Sequence, residues 1–368
     1  MLSRVLILGG YGNFGSRIVQ LLSNDTNIQV IINGRNKDKC STLAQEYRTA
    51  INPPETHVAD IHDHFENILN VTKPHIVIHT SGPFQEQGYD IAEACIDFGC
   101  HYLDLADGRS FVSDIAQLDE KTKAKKISVI SGASSVPCLT SAIIDHYQNA
   151  FSKIDSIDYG IATAQRTNAG LATTSAILGY AGNKLITLIN GEQKSIYGWQ
   201  DIISHTYPEL GKRFLANCDI PDLALFPKIY PDLKTIRFRA GLEVPFLHYS
   251  LWLFSFLVRF RVLKSLKPFA SFFHAIAPAF NIFGSERSGF HMTMKGIDKA
   301  GMEKNVTFYL LTASGHGPFI PCIPAALCAI KLAAGKPLPF GAYACTGIIS
   351  LEEYLEALKP FDIKSLEK

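Results

Sequence analysis

Between a short apolar run and an amphipathic stretch the chain places Gly10-Tyr11-Gly12-Asn13-Phe14-Gly15, and no other feature narrows the fold as much. Val5-Leu6-Ile7-Leu8 is a continuous apolar run of the kind found in strands buried on both faces. Ser16 to Leu22, with Ile18, Val19, Leu21 and Leu22 apolar, reads as a helix. In that strand–turn–helix context G-x-G-x-x-G lets backbone N–H groups and the positive helix N-terminus approach a diphosphate, because no Cβ stands in the way. Gly10, Gly12, Asn13, Phe14 and Gly15 are therefore the predicted dinucleotide loop. A glycine-rich turn with no ligand is the alternative, and the flanking strand and helix weigh against it.

The second strand selects the dinucleotide. Ile28 to Ile32 ends in Asn33-Gly34-Arg35-Asn36-Lys37, where an NAD-specific site would place Asp or Glu on the ribose hydroxyls. The planar fork of Arg35 suits a 2′-phosphate, which predicts NADP(H), with Asn33 and Asn36 as ribose or phosphate partners. An exposed loop cation is the other reading of Arg35. Further strand ends follow at βαβ spacing: Thr56 to Ala59 before Asp60 and Ile61, an adenine contact; His75 to His79 before Thr80-Ser81-Gly82-Pro83; Tyr102 and Leu103 before Asp104; and Ile127 to Ile130 before Ser131 and Gly132. Each ends in small or polar residues, as the carboxyl edge of an open parallel sheet requires for a ligand. The pattern predicts a doubly wound α/β sheet of the Rossmann type over residues 1–140.

Charge and composition remove other classes. The chain has 35 Lys plus Arg against 34 Asp plus Glu, and 47% of its 368 residues are hydrophobic. Neither a nucleic-acid partner nor a disordered chain fits that balance. Eight cysteines form no CxxC pair, so a disulfide framework and a zinc site are not expected and a reducing, cytoplasmic compartment is. Val5 to Leu8, four apolar residues after Arg4, is too short for a signal-peptide core, so none is expected. His57, Asp60, His62, Asp63, His64 and Glu66 read as a polar loop beside the adenine rather than a metal site, and no metal is expected.

Val5 to Gly15, Asn33-Gly34-Arg35, Ser81-Gly82-Pro83-Phe84 and Tyr102-Leu103-Asp104-Leu105 together resemble the saccharopine dehydrogenase (NADP-binding) family over about residues 1–140. Gly179-Tyr180, Gly198-Trp199, Cys218 to Leu223 and Gly315-His316-Gly317-Pro318 resemble a bacterial saccharopine-dehydrogenase-like branch. The resemblance implies hydride transfer between NADPH and a C=N or C=C bond. It places Ser81, Gly82 and Pro83 under the nicotinamide ribose, with Asp104 closing the same pocket. Asp104, Asp107 and His316 are the candidate proton-transfer groups, each with a structural alternative: Asp104 capping a turn or orienting Arg109, Asp107 as turn chemistry, His316 as a surface residue. Ser134-Ser135 before Val136-Pro137 reads as a helix N-cap, and its N–H groups could also hold a substrate anion.

From residue 141 the βαβ rhythm stops. Ile154 to Ala162, Leu233 to Arg239, Phe290 to Lys295 and Val306 to Leu311 read as strands of a mixed or antiparallel sheet. Residues 141–320 are thus an α+β substrate or oligomerisation domain, and 321–368 are C-terminal helices that pack back on the first domain. Within the second domain, residues 244–285 contain no acid, four basic residues and eleven aromatics in 42 positions. Their uncharged runs are short for a membrane span, leaving a buried helical pair or homodimer surface, or else an interfacial membrane patch or acyl-lined tunnel. The expected function is NADP(H)-dependent hydride transfer to or from a C=N bond of a small molecule. A trans-acting enoyl or acyl reductase on a lipid-like substrate and a non-catalytic NADP-binding sensor or scaffold are the alternatives.

Overall fold

A computed structural model describes residues 2–167, 170–336 and 338–368. The chain begins with β1 (Ser3–Leu8), α1 (Gly15–Leu22), β2 (Ile28–Gly34), α2 (Lys37–Glu46), β3 (Glu55–Val58) and α3 (Phe65–Thr72). Next come β4 (Ile76–His79), α4 (Asp90–Phe98), β5 (His101–Asp104), α5 (Arg109–Ser113), α6 (Asp119–Lys125), β6 (Ser128–Ser131) and α7 (Thr140–Tyr147). The middle stretch is β7 (Lys153–Ala162), α8 (Leu171–Tyr180), β8 (Lys184–Ile189), β9 (Glu192–Tyr197), β10 (Ile203–Tyr207), β11 (Gly211–Asn217), α9 (Asp222–Ile229) and β12 (Thr235–Gly241). It runs on through α10 (Pro245–Arg259), α11 (Ala270–Ile276), β13 (Ser288–Ile297) and β14 (Glu303–Thr312). Last are α12 (Ile323–Ala333), β15 (Gly341–Ala344), α13 (Leu351–Leu358) and β16 (Ile363–Glu367).

Two compact units result, Met1–Ala142 with Phe319–Tyr354 and Ile143–Pro318 with Leu355–Lys368. The first holds a seven-stranded sheet in the order β15-β6-β5-β4-β1-β2-β3, with every pair parallel. Val5, Leu6, Ile7 and Leu8 are fully buried, each worth about 2 kcal/mol of apolar burial, which is why an uninterrupted apolar run sits at the centre. Strand order reverses between β1 and β4, so a crevice opens at the carboxyl ends of these two strands.

The second unit is built on a mixed sheet, β10-β11-β12-β7-β13-β14-β16, in which only β12 and β7 run parallel. A separate hairpin, β8-β9, lies beside it. Residues 321–368 are not helices alone: β15 joins the parallel sheet and β16 the mixed one. Gly341-Ala342-Tyr343-Ala344 has neither the apolar run nor the alternation that marks a strand in sequence, and it is held by its neighbours instead. Its start is tied down by Asp119, whose Oδ1 accepts from Ala342 N at 3.1 Å.

Candidate active site

The glycine loop is shaped by close approach. A Cβ on Gly15 would lie 2.2 Å from the carbonyl oxygen of Gly9 and 2.8 Å from the Cα of Gly10, so helix α1 can start where it does only with glycine there. Gly12 N donates to Gly9 O at 2.8 Å and Gly10 N to Asn33 O at 2.8 Å. The first turn of α1 carries no side-chain cap, leaving the positive helix end to an outside anion. A cradle that a Cβ would fill, ending on an uncapped helix, fits a dinucleotide diphosphate. Asn13 faces inward from this loop: its Oδ1 accepts from Arg17 Nη1 at 2.8 Å, while the Arg17 guanidinium sits 5.4 Å from the Phe319 ring centroid. Phe14 contributes its carbonyl, which accepts from Ile18 N and from the Cys322 thiol.

At the end of β2 the predicted residues divide. Asn33 is fully buried and its Nδ2 donates to His57 O at 3.1 Å, so its amide ties β2 to β3. Asn36 caps α2, accepting from Lys39 N at 2.9 Å. Arg35 projects outward, 76% exposed, with Asp60 Oδ2 at 3.6 Å. Asp60 also accepts from His62 N, beginning the turn that contains Ile61. Sequence reasoning passed over Tyr11, whose ring lies where a Cβ on Gly34 would stand, 2.2 Å from Cε1. A glycine closing a strand was the available signal, because it marks close approach. Lys39 Nζ lies 5.8 Å from that ring centroid, a second cation at the same strand end.

Beside β1, Thr80 Oγ1 donates to Leu8 O at 2.7 Å. Gln87 Nε2 donates to Ser81 O at 2.9 Å and Pro83 O at 3.0 Å, bracing the Ser81-Gly82-Pro83 turn. The next strand end is organised by Asp104, which is fully buried. Its Oδ1 accepts from Ser131 Oγ at 3.0 Å, Gly132 N at 2.8 Å and Ala106 N at 2.9 Å. Burial pushes this carboxyl up to about 6, although those hydrogen bonds pull the other way. Next to it Tyr102 OH meets His79 Nδ1 at 3.0 Å, and burial drives His79 down to about 3, with His62 adding a smaller push. Asp107 is half-buried and accepts from Gln85 Nε2 at 3.0 Å, linking the loops after β4 and β5.

All these residues lie along the carboxyl edge of the parallel sheet. A shallow depression of about 450 Å³, lined by Lys73, His75 and His101 among others, sits at the opposite edge and includes none of them. His316 belongs to the second unit, where its Nδ1 accepts from Asp362 N at 2.8 Å and its ring packs edge-on to Phe361. Ser134 does not act as a side-chain cap: Val136 has non-helical φ/ψ inside the following turn, so the helical N–H groups that a capping serine needs are not presented to it. Among the described residues, no three His, Cys, Asp or Glu side chains group to hold a metal ion.

Residues 5–130 match the family model described as the saccharopine dehydrogenase NADP binding domain. That match shows a domain of this kind at residues 5–130, over β1 to β6. The apo saccharopine dehydrogenase (L-Glu forming) of Saccharomyces cerevisiae superposes over 100% of both chains with a TM-score of 0.68 at 12% identity, a likeness of fold. The amine dehydrogenase of Mycobacterium smegmatis covers 93% of this chain and 94% of its own, at 10% identity and a TM-score of 0.48. No curated protein sequence matches. The saccharopine dehydrogenase-like chain is a dehydrogenase-like oxidoreductase with a nicotinamide-dinucleotide domain.

Proposed function

We propose that the chain is an NADP(H)-dependent oxidoreductase that transfers hydride to or from a C=N bond of a small molecule. The observation that carries the cofactor choice is the end of β2, which has no carboxylate of its own and presents exposed Arg35 beside Lys39. The Arg35–Asp60 pair is long and its guanidinium is exposed, so it is weak and gives way to a 2′-phosphate that can take the guanidinium fork. When bound, the nicotinamide supplies or accepts the hydride. Gly10, Gly12, Gly15 and the start of α1 hold the diphosphate. The Ser81–Pro83 turn, braced by Gln87, orients the nicotinamide ribose.

Asp104 acts as a positioning residue, holding Ser131 and Gly132 in place from beneath. Proton transfer at the reacting nitrogen is assigned to Asp107. Eight free, buried cysteines suit a reducing compartment. A second reading, reduction of an enoyl or acyl group on a lipid-like substrate, draws on the apolar surface between residues 244 and 285.

Cofactor oxidation measured against imine, keto-acid plus amine, and enoyl panels tests the reaction. Turnover with imines supports the proposal, turnover with enoyl substrates alone supports the second reading, and NADPH binding without turnover on any panel points to a sensor. For the cofactor, Arg35→Ala is expected to weaken NADPH roughly 10- to 100-fold, the worth of a charge-assisted hydrogen bond, and to leave NADH unchanged. Equal losses for both cofactors would remove Arg35 from the 2′-phosphate site.

A further inference from the structure

Helix α10 has two unlike sides. His248, Leu251, Ser255 and Val258 are buried, closing over a core that includes Leu178, Ala181 and Trp199. The opposite side points outward and is also apolar. Of the 21 large hydrophobic side chains exposed among the described residues, 11 fall within residues 244–285, so this is a concentrated face rather than the scatter normal on a protein surface. Phe246, Leu253 and Phe260 are 65%, 60% and 70% exposed, and Phe272, Ile282 and Phe283 are comparable. Ring contacts join the pieces: Phe246 meets Phe280 at 6.2 Å and Phe254 meets Phe273 at 6.1 Å. The residues after α10 and around α11 therefore extend one continuous apolar face.

Its charge is one-sided. Residues 244–285 hold no acid, and Arg261 and Lys264 are exposed just past the end of α10. Arg259 is otherwise engaged, stacked 4.2 Å from the Tyr197 ring centroid and bonded to Gln200. Among the described residues no helix is long and apolar enough to cross a membrane, so the face can lie on a bilayer but not span it. We propose that this face docks the protein peripherally on an anionic lipid surface, the aromatic and aliphatic side chains entering the headgroup boundary and Arg261 and Lys264 meeting the lipid charge. A second copy would bring the same basic edge to the contact, setting like charges together, whereas anionic headgroups complement it. The inference does not depend on which double bond is reduced.

Flotation of the full chain with vesicles of phosphatidylcholine, with or without phosphatidylglycerol, tests it. The chain is expected to float with the anionic vesicles and not with phosphatidylcholine alone. Arg261→Asn with Lys264→Gln should lower partitioning about thirtyfold, at the usual contribution of a basic residue near an anionic leaflet. Phe246→Ser, Phe260→Ser and Phe283→Ser together should abolish flotation while circular dichroism and NADPH binding stay unchanged, since all three side chains are exposed. Brominated lipid should quench Trp252 on α10, which is half-buried, and spare Trp199, which is 1% exposed. No flotation, or flotation indifferent to both variants, overturns the proposal. So does a dimer in sedimentation equilibrium that the serine variant dissolves without any vesicle binding, which would assign the face to a second copy.

Discussion

At the scale of single residues the site is governed by a buried carboxylate. Asp104 holds three donors on one oxygen while burial raises its pKa to about 6, so the side chain organises the turn after β6 at the cost of desolvating its own charge. Replacing it separates these two effects. Asp104→Ala removes the acceptor and leaves buried donors unmatched, and is expected to destabilise the chain by roughly 3–5 kcal/mol. Asp104→Asn keeps an acceptor oxygen without the charge, and should stay within about 1 kcal/mol of the native chain at neutral pH. Urea midpoints of the two variants check this, and equal losses would show that the charge matters more than the hydrogen bonds. The strand-end position of Asp104 was legible in the sequence; its burial was not, because the enclosing atoms come from Ser131, Gly132 and Ala106. The same holds for Asn33, an apparent ribose partner whose amide is taken up between β2 and β3.

Elements differ in how much of their geometry is local. The loop from β1 to α1 was readable because its chemistry lies within one stretch, and the clearance at Gly15 explains its glycines. Gly15→Ala would set a methyl against Gly9 O, with an expected loss of roughly 1–3 kcal/mol from overpacking and loss of NADPH binding, read by calorimetry. Gly179→Ala in α8, where nothing lies within 4 Å of the added carbon, should instead raise stability by roughly 0.5–1 kcal/mol through reduced chain entropy. Strands β7, β12, β13 and β14 were foreseen from their apolar alternation. By contrast β9, Glu-Gln-Lys-Ser-Ile-Tyr with Ile196 as its buried position, carries too few buried side chains to impose a period of two, and β11 buries Leu215, Ala216 and Asn217 in succession rather than in alternation. The aromatic segment 244–285 showed its unusual composition in sequence, but only the packing of α10 separates its buried side from its outward one.

For the molecule as a whole, acid stability follows from three histidines held neutral by burial: His79 at about 3, His248 at about 4 and His291 at about 2. Their pKa values are depressed below the unfolded value, so the stability they represent is present above about pH 6.5 and is lost as pH falls toward the folded values, because the unfolded chain binds the extra protons. Asp104 runs the opposite way: its raised pKa adds stability as pH drops from about 6 toward its unfolded value. Three groups outweigh one, each acting with up to about 1.4 kcal/mol per pH unit, so the thermal midpoint should fall between pH 6.5 and 4.5. A midpoint that rises over that range would mean that these histidines are not held neutral. None of these shifts is visible in the chain, since each depends on which side chains exclude water. The one-dimensional pattern of apolar runs, glycines and strand-end polar residues was enough to indicate the βαβ units of the parallel sheet and the glycine loop, because each strand–turn–helix unit is encoded by residues close together in the chain. Tertiary structure decided the β15 and β16 additions, the tasks of Asn33, Asn36 and Asp104, and the outward apolar face of α10, because each depends on atoms that folding brings from distant positions.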